Sequence, residues 1–309
     1  MRQQPIIAAI FVALLASPTL LASPAFALSP EAPDLAFGAY QRGQYQTAFR
    51  EAMKRVDADK TDAAAMTLVA ELQSQGLGAP QNVAEAMHWY RLAANLGDKN
   101  AQFALALAYL TGIGETKDVA VAKTLLEKSA AQDHGGAWYN LGVIALEGNG
   151  VASNFTEAAK DFRRGADLGF PDAAYSLGLL YREGRGVEKD AKQAADWLLR
   201  AAQADFLPAE VEYGILIFNG AKNLPANEAT GAKWLLRAAN RDNPVAQNRV
   251  ARLLFAGRGV KQDRVEAMKW HVLASTAGLR DDWLDGESNK LTPAERLQVQ
   301  QMVRTYLGK

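Results

Sequence analysis

Side chains that could perform chemistry are scarce in this sequence. It contains no cysteine, which excludes disulfides, thiolate metal sites and cysteine nucleophiles. Its three histidines are His88, His134 and His271, and none has a histidine or carboxylate four residues away that would complete a helical metal site. We therefore predict a non-enzymatic protein without catalytic residues, metal ion or cofactor. His88 and His271 are expected at the surface or partly packed.

Two motifs could suggest a ligand. Pairs of the form Gly-X-Gly occur along the chain, but a dinucleotide-binding loop also needs a preceding strand and a third glycine at a fixed offset. Asn154-Phe155-Thr156 has the pattern of an N-glycosylation site. The Gly-X-Gly pairs recur where predicted helices end, and Asn154 stands where one begins. Helix-capping chemistry therefore explains both motifs better than ligand binding.

Charge narrows the classes of partner. The chain has 34 basic and 34 acidic residues, which gives no net charge. Proteins that bind nucleic acid or anionic membranes through their surface charge usually carry a basic excess. We therefore predict neither as a partner. Hydrophobic residues make up 49% of the chain, which is enough to build a core.

The first 27 residues have the three parts of a secretory signal peptide. Arg2 supplies a positive start, an apolar run extends from Ile6 to Leu15, and Ala25-Phe26-Ala27 supplies the small residues of a cleavage site. The alternative, an uncleaved membrane anchor, is less favoured because Ser17 and Pro18 interrupt the apolar stretch.

Export follows from this interpretation. We predict cleavage after Ala27, with residues 1–27 as signal peptide and residues 28–33 as a flexible leader. The mature chain would be periplasmic or secreted, and it would not insert into a membrane.

The chain repeats itself at an interval of 36 residues. An alanine opens each of six units, and successive opening alanines are 36, 36, 36, 36 and 37 residues apart. They are Ala65, Ala101, Ala137, Ala173, Ala209 and Ala246. Each unit has two blocks in which apolar residues recur at steps of three and four, the periodicity of an amphipathic helix. This pattern predicts an all-α solenoid of helix pairs, because each pair buries its apolar face only against its neighbours.

The segment between the two blocks of a unit contains signals that end one helix and start the next. A glycine, which can take the left-handed conformation of a helix C-cap, follows each first block: Gly76, Gly112, Gly148, Gly184, Gly220 and Gly257. A second glycine follows two residues later in five units: Gly78, Gly114, Gly150, Gly186 and Gly259. Asx residues then stand where the second helix should begin, and we predict them to be its N-caps: Asn82, Asp118, Asn154, Asp190, Asn227 and Asp263.

Both ends of the array depart from the repeat. Residues 34–62 have the look of a shorter, tetratricopeptide-like helix pair. Residues 281–309 are predicted to be a loop, over residues 281–291, followed by a C-terminal capping helix. Thr292-Pro293-Ala294-Glu295 opens that helix as a capping box with proline at the first helical position.

These features together resemble the Sel1-like repeat family, relatives of tetratricopeptide repeats with longer loops between the helices. The resemblance covers residues 63–280 and rests on the 36-residue period, the Gly-X-Gly turn, the Asx cap, Leu-Gly in the first helix (Leu177-Gly178) and Trp-X-X-X-Ala-Ala in the second (Trp197). The fifth unit departs from it, with Ala221-Lys222 where the second glycine should be. The resemblance implies a right-handed superhelix that acts as an adaptor or regulator.

One face of the first helices is the candidate binding surface, since the first helices line the concave face in tetratricopeptide arrays. Row A contains the residue two past each opening alanine: Thr67, Phe103, Tyr139, Tyr175, Val211 and Asn248. Row B contains the residue six past it: Glu71, Leu107, Val143, Leu179, Ile215 and Arg252. Aromatic anchors between polar ends are typical of binding hot spots. We expect a groove for a peptide or a partner's helix, with the alternative that curvature buries both rows as core.

The sequence therefore predicts an exported scaffold or regulator of the bacterial envelope that binds a protein or peptide in its concave face. The family resemblance implies possible partner classes, among them the sensor domains of membrane histidine kinases. It also leaves two alternatives: a secreted host-contact factor, and an enzyme acting on cell walls or β-lactams. The enzymatic alternative comes from a cysteine-rich branch of the family whose paired cysteines are absent here.

Overall fold

The computed structural model describes residues 34–148 and 152–308, and within these ranges the chain forms helices joined by turns and short loops. The predicted signal peptide, the predicted leader and Gly150 lie outside the described residues. None of the helices in the described part of the chain is long and apolar enough to cross a membrane.

Sixteen helices follow one another across the described ranges. They are α1 (Leu35–Gln41), α2 (Tyr45–Ala58), α3 (Ala63–Gln75), α4 (Val83–Asn95), α5 (Lys99–Thr111), α6 (Val119–Ala130), α7 (Gly135–Glu147), α8 (Phe155–Asp167), α9 (Pro171–Glu183), α10 (Ala191–Gln203), α11 (Leu207–Asn219), α12 (Glu228–Ala239), α13 (Pro244–Ala256), α14 (Arg264–Thr276), α15 (Asp282–Ser288) and α16 (Pro293–Tyr306).

The helices form an all-α solenoid, as the 36-residue period predicts. From α3 to α14 they make six pairs, and each second helix up to α12 packs both on its own first helix and on the first helix of the next pair. The six opening alanines lie at these junctions, and each is at most 1% exposed. A methyl side chain at this position lets the helix axes approach closely, since larger side chains would hold them apart.

The predicted helix caps are confirmed. In all six units the Asx side chain accepts a hydrogen bond from a backbone N–H of the second helix, as Asn82 does from Glu85 at 3.1 Å. The glycine after each first helix has positive φ, and in five units it adopts the predicted left-handed conformation. Gly220 in the fifth unit does not, because its ψ is 179°. In the fifth unit, which lacks the second glycine, Ala221 and Leu224 form an isolated antiparallel bridge before the cap Asn227.

The second glycine of the turn joins neighbouring units, a role that the turn pattern alone does not indicate. A Cβ atom on Gly186 would lie 2.2 Å from the backbone carbonyl of Phe155, the first residue of α8 in the preceding unit. Gly78 and Gly259 meet the first residues of α2 and α12 in the same way, at 2.3 and 2.4 Å. Glycine at this position therefore allows backbone to pack on backbone between units.

Arg55 links the first helix pair to the array, in addition to the apolar core that this pair shares with α3. Arg55 of α2 donates from Nη1 to Asp34 at 2.6 Å, and from Nε and Nη2 to Asp62 at 2.8 and 3.0 Å. Asp34 and Asp62 are the N-caps of α1 and α3, so this side chain holds the starts of two successive first helices together.

The C-terminal end contains a correction to the prediction. Residues 281–291 are not a loop throughout, because Asp282–Ser288 forms α15, with Asp281 as its N-cap. Leu284 is fully buried in the core of the last unit, and burial of this one apolar side chain favours a short helix that sequence periodicity is too brief to reveal. The capping box is confirmed: Thr292 and Glu295 exchange hydrogen bonds at the start of α16, which packs against α14.

We expect Gly186→Ala to destabilise the protein more than Gly169→Ala. Both glycines have positive φ, at 71° and 85°, so both substitutions incur the left-handed strain of about 1–2 kcal/mol. Only position 186 adds a clash with a neighbouring unit, because a Cβ on Gly169 meets nothing within 4 Å. Overpacking should add about 1–3 kcal/mol, measurable by urea unfolding. Equal losses would contradict the inter-unit role.

Candidate functional site

Row A forms contacts between units. Each of its three aromatic members packs its ring against the ring of the N-cap residue of the next first helix, with centroids 4.3 to 5.4 Å apart. The pairs are Phe103 with His134, Tyr139 with Phe170, and Tyr175 with Phe206. The two tilted pairs lie within the range of about 4.5–7 Å in which aromatic pairs attract, and Phe103 and His134 stack more closely, at 4.3 Å.

The polar ends of row A make the same connection by hydrogen bonds. Thr67 Oγ1 donates to Asp98, the N-cap of α5, at 2.9 Å. Asn248 Nδ2 donates to Asp281, the N-cap of α15, at 2.8 Å. In row A, polar residues therefore pair with polar N-caps and aromatic residues with aromatic N-caps. This pairing favours the alternative that row A belongs to the core and does not form a groove.

The middle of row B is buried, whereas in row A Phe103 and Tyr175 are half-buried. Leu107, Val143 and Leu179 are each 8% exposed, and in row A Tyr139 and Val211 are 9% and 6% exposed. Successive first helices approach one another closely, as α7 and α9 do by direct contact, so the middle of the rows offers little surface to a partner. Glu71 is engaged as well, because the hydroxyl of the buried Tyr90 donates to its carboxylate at 2.6 Å.

The C-terminal end of row B is open. Ile215 and Arg252 line a cleft of about 290 Å³ between α11 and α13. Its apolar lining comes from Ile215, Phe218, Leu235, Leu253, Ala256 and Trp283, and its polar lining from Asn219, Arg249, Arg252 and Arg258. We call this the arginine cleft.

Of the residues that line the arginine cleft, the predicted rows contain only Ile215 and Arg252, and Trp283 is among those that the sequence did not indicate. It stands on α15, within the segment expected to be a loop, and 44% of it is exposed. Its ring meets Phe255 edge-on at 4.9 Å, and the guanidinium of Arg252 lies over it at 5.2 Å from the centroid. The Trp-Leu pair at residues 283–284 was the available signal, since one side chain is buried and the other faces the cleft.

Arg252 is held in place by a carboxylate. Its Nε and Nη2 both donate to Asp281 at 2.7 Å. Burial by itself raises the pKa of Asp281, but hydrogen bonds from Arg252, Asn248 and the N–H of Leu284 outweigh it and lower that pKa to about 2. Asp281 is therefore ionised at any physiological pH, and the bidentate pair fixes the guanidinium plane.

The three histidines differ in role. His134 is the N-cap of α7: its Nδ1 accepts from the N–H of Ala137 at 3.1 Å. Burial, reinforced by the charge of Lys99, lowers the pKa of His134 to about 4.

His271 is buried, contrary to the expectation, and its Nε2 lies 2.9 Å from Asp285. The short helix α15 covers it, which the sequence did not predict. His88 is exposed, as expected.

Among the described residues, no group of three or more His, Cys, Asp or Glu side chains is arranged to hold a metal ion. The arrangement offers a shaped surface with fixed cations and an aromatic wall, which is suited to binding.

Comparison with known proteins identifies the repeat. The family model of the Sel1 repeat matches six consecutive segments: residues 63–98, 99–134, 137–170, 171–206, 207–243 and 244–279. No curated protein sequence matches the chain.

Two solved structures are similar. A Sel1 repeat protein from Oxalobacter formigenes is 27% identical, with a TM-score of 0.66 over 77% of this chain and 94% of that one. A protective antigen present in uropathogenic Escherichia coli strains, which displays an SLR fold, is 26% identical, with a TM-score of 0.55 over 89% of this chain and 68% of that one.

We expect Tyr139→Ser to destabilise the protein by about 3 kcal/mol, because its buried ring packs on Phe170 and Phe162. Leu297→Ser, at a side chain that is 56% exposed, is the control and should cost little. Thermal melting and helicity by circular dichroism measure the loss. A Tyr139→Ser protein with unchanged stability would restore row A as a free groove.

His134 should make stability depend on pH. Its pKa is 6.5 in the unfolded chain and about 4 in the folded one, so between these values the unfolded state binds the extra proton. Stability should therefore fall as pH decreases from 6.5 towards 4. His134→Asn keeps a capping side chain that does not titrate, so its loss between pH 7 and pH 5 should be smaller by about 1–2 kcal/mol. His88→Asn, at an exposed site, should leave the pH dependence unchanged, and an equal effect of both variants would refute the assignment.

Proposed function

The chain belongs to the Sel1 repeat family, and on this premise we propose that it is an exported scaffold or regulator of the bacterial envelope that binds a partner protein. A solenoid of this family is typical of protein–protein interaction. The proposal has three specific parts: the chain is exported, it acts in the envelope, and it binds its partner through the first-helix face.

The arginine cleft is the observation that carries this proposal. It lies on the first-helix face at the point where the rows stop being buried, and it combines an aromatic wall with oriented guanidinium groups. Tryptophan and arginine are the residues most enriched in binding hot spots. The middle of rows A and B, which packs between units, would then act as the rigid frame that holds the cleft in shape.

The export element is supported by the sequence of residues 1–27, with its positive start, apolar run and small-residue cleavage site. An exported solenoid without chemistry of its own would act through a second protein. The sensor domain of a membrane kinase is one partner class that would make it a regulator, and an envelope complex is another.

A second candidate is favoured by one comparison. A similar structure is a protective antigen present in uropathogenic Escherichia coli strains. A secreted factor that contacts a host would use the same cleft but would leave the cell. An enzyme acting on cell walls or β-lactams is not proposed, because the family branch that suggests it has the paired cysteines that this sequence lacks.

Site-specific crosslinking in living cells tests the main proposal. A photo-crosslinking amino acid replaces the exposed Asn219 at the rim of the arginine cleft, and in a matched variant it replaces Lys123 on the second helix α6. We expect the protein in the periplasmic fraction, with Leu28 as its first residue, and one defined protein crosslinked from position 219 only.

Three results would contradict the proposal. The unaltered chain could remain in the cytoplasm with its first residues intact. Leu14→Arg, which interrupts the apolar run, is the control that should be retained there. The same products could appear from positions 219 and 123, which would show random collision. Recovery of the chain from the medium, with no envelope partner, would favour the host-contact alternative.

A further inference from the structure

Two of the three arginines of the cleft are paired with a carboxylate of the protein, and the third is not. Arg252 is neutralised by Asp281 at 2.7 Å. Arg258 is neutralised by Glu228, and its guanidinium lies over the ring of Phe218 at 5.0 Å. Arg249 is exposed and has no ion-pair or hydrogen-bond partner among the described residues.

The three side chains nevertheless converge on one space. Arg249, Arg252, Leu253 and Ala256 are spaced three, four and seven residues apart on α13, so they share one face of that helix. Arg258 approaches from the turn after it. Arg252 uses Nε and Nη2 on Asp281, which leaves donors of its fork for an additional acceptor.

The lining beneath the arginines is apolar. Leu235 and Phe218 are 2% and 6% exposed, Ile215 and Leu253 are partly buried, and Trp283 forms a wall. The volume of about 290 Å³ is near the lower limit of small-molecule sites, about 300 Å³, so the cleft admits one or two side chains.

We propose that the arginine cleft binds a peptide segment of the partner that presents a carboxylate side chain beside a large apolar residue. The apolar residue would occupy the space between Phe218, Leu253 and Trp283, and the carboxylate would pair with Arg249. This proposal rests on the proposed function and gives its partner a recognition chemistry.

Charge complementarity supports this occupant. A carboxylate supplies the one negative charge that Arg249 lacks, and a guanidinium pairs with it through two parallel hydrogen bonds. A nucleic acid fits less well, because Asp281 and Glu228 place two carboxylates beside the other arginines and would repel a run of phosphates.

Arginine and tryptophan are also pre-positioned, which lowers the entropy lost on binding. Asp281 is 4% exposed at its side chain and fixes Arg252, and Arg252 in turn covers one part of the Trp283 ring. The peptide would therefore meet a wall that is already formed.

The test uses the protein purified from cells, labelled with ¹⁵N, and three pentapeptides that are acetylated and amidated. Their sequences are Gly-Leu-Glu-Leu-Gly, Gly-Leu-Gln-Leu-Gly and Gly-Ser-Glu-Ser-Gly. Titration followed by NMR of the indole and guanidinium N–H groups gives each dissociation constant, and Trp283→Phe assigns the relevant indole signal. We expect the first peptide to bind at least tenfold more tightly than either of the others, a difference of about 1.4 kcal/mol.

Arg249→Gln separates charge recognition from folding. Because Arg249 is exposed, its loss should leave the melting temperature unchanged. It should weaken binding of the glutamate peptide at least tenfold and leave the glutamine peptide unaffected. Arg304→Gln, at an exposed arginine of α16 outside the cleft, is the matched control and should change neither.

Several results would overturn the proposal. These are equal binding of the glutamate and glutamine peptides, no effect of Arg249→Gln, and no binding of any peptide at millimolar concentration. Displacement of the peptide by a ten-residue thymidine oligonucleotide of higher affinity would assign the cleft to nucleic acid instead.

Failure here is distinguishable from failure of the proposed function. If a partner is crosslinked from position 219 and Arg249→Gln does not reduce its capture, carboxylate recognition is refuted and the scaffold function is supported. Peptide binding by a chain that stays in the cytoplasm would keep the recognition and remove the envelope role.

Discussion

The contact between each first helix and the residue that caps the next first helix is the constraint on which this solenoid depends. In five of the six units the residue two past the opening alanine touches the following N-cap, by ring contacts in the middle and by hydrogen bonds at the ends. An N-cap fixes where a helix begins. Attaching it to the preceding unit therefore fixes the position of each helix relative to the last, and the rise of the solenoid follows.

Two further contacts make this spacing regular. The second glycine of the turn lets one unit rest on the first residue of the second helix before it. The opening alanine lets the helices approach closely. These residues are small because backbone must meet backbone, so the 36-residue period expresses packing distance as well as helix length. Arg55 performs the same task at the N-terminal end, where it pairs with two caps at once.

The way the array ends creates its most distinctive surface. A further first helix, α15, follows the N-cap Asp281, which Asn248 contacts, but this helix has only seven residues. The array is completed by α16, which packs against α14 instead. Because the interrupted helix is short, it buries Leu284 and leaves Trp283 beside Arg252 and the open end of row B. A truncated repeat thus both covers the core and forms one wall of a cleft, and our proposed function and its recognition chemistry depend on that wall.

The sequence by itself determined the helix pairs, their caps and their period, because capping and amphipathic spacing act within a few residues of the chain. It also identified Ile215 and Arg252 as members of the first-helix face. Only the tertiary structure decided which parts of that face are accessible. Phe103, Tyr139 and Tyr175 have the residue types of a binding surface, yet each packs its ring against an aromatic cap 31 residues later. Trp283 was predicted to be part of a loop and instead lines the cleft. Exposure depends on how closely neighbouring units pack, and the sequence of a single repeat does not specify that distance.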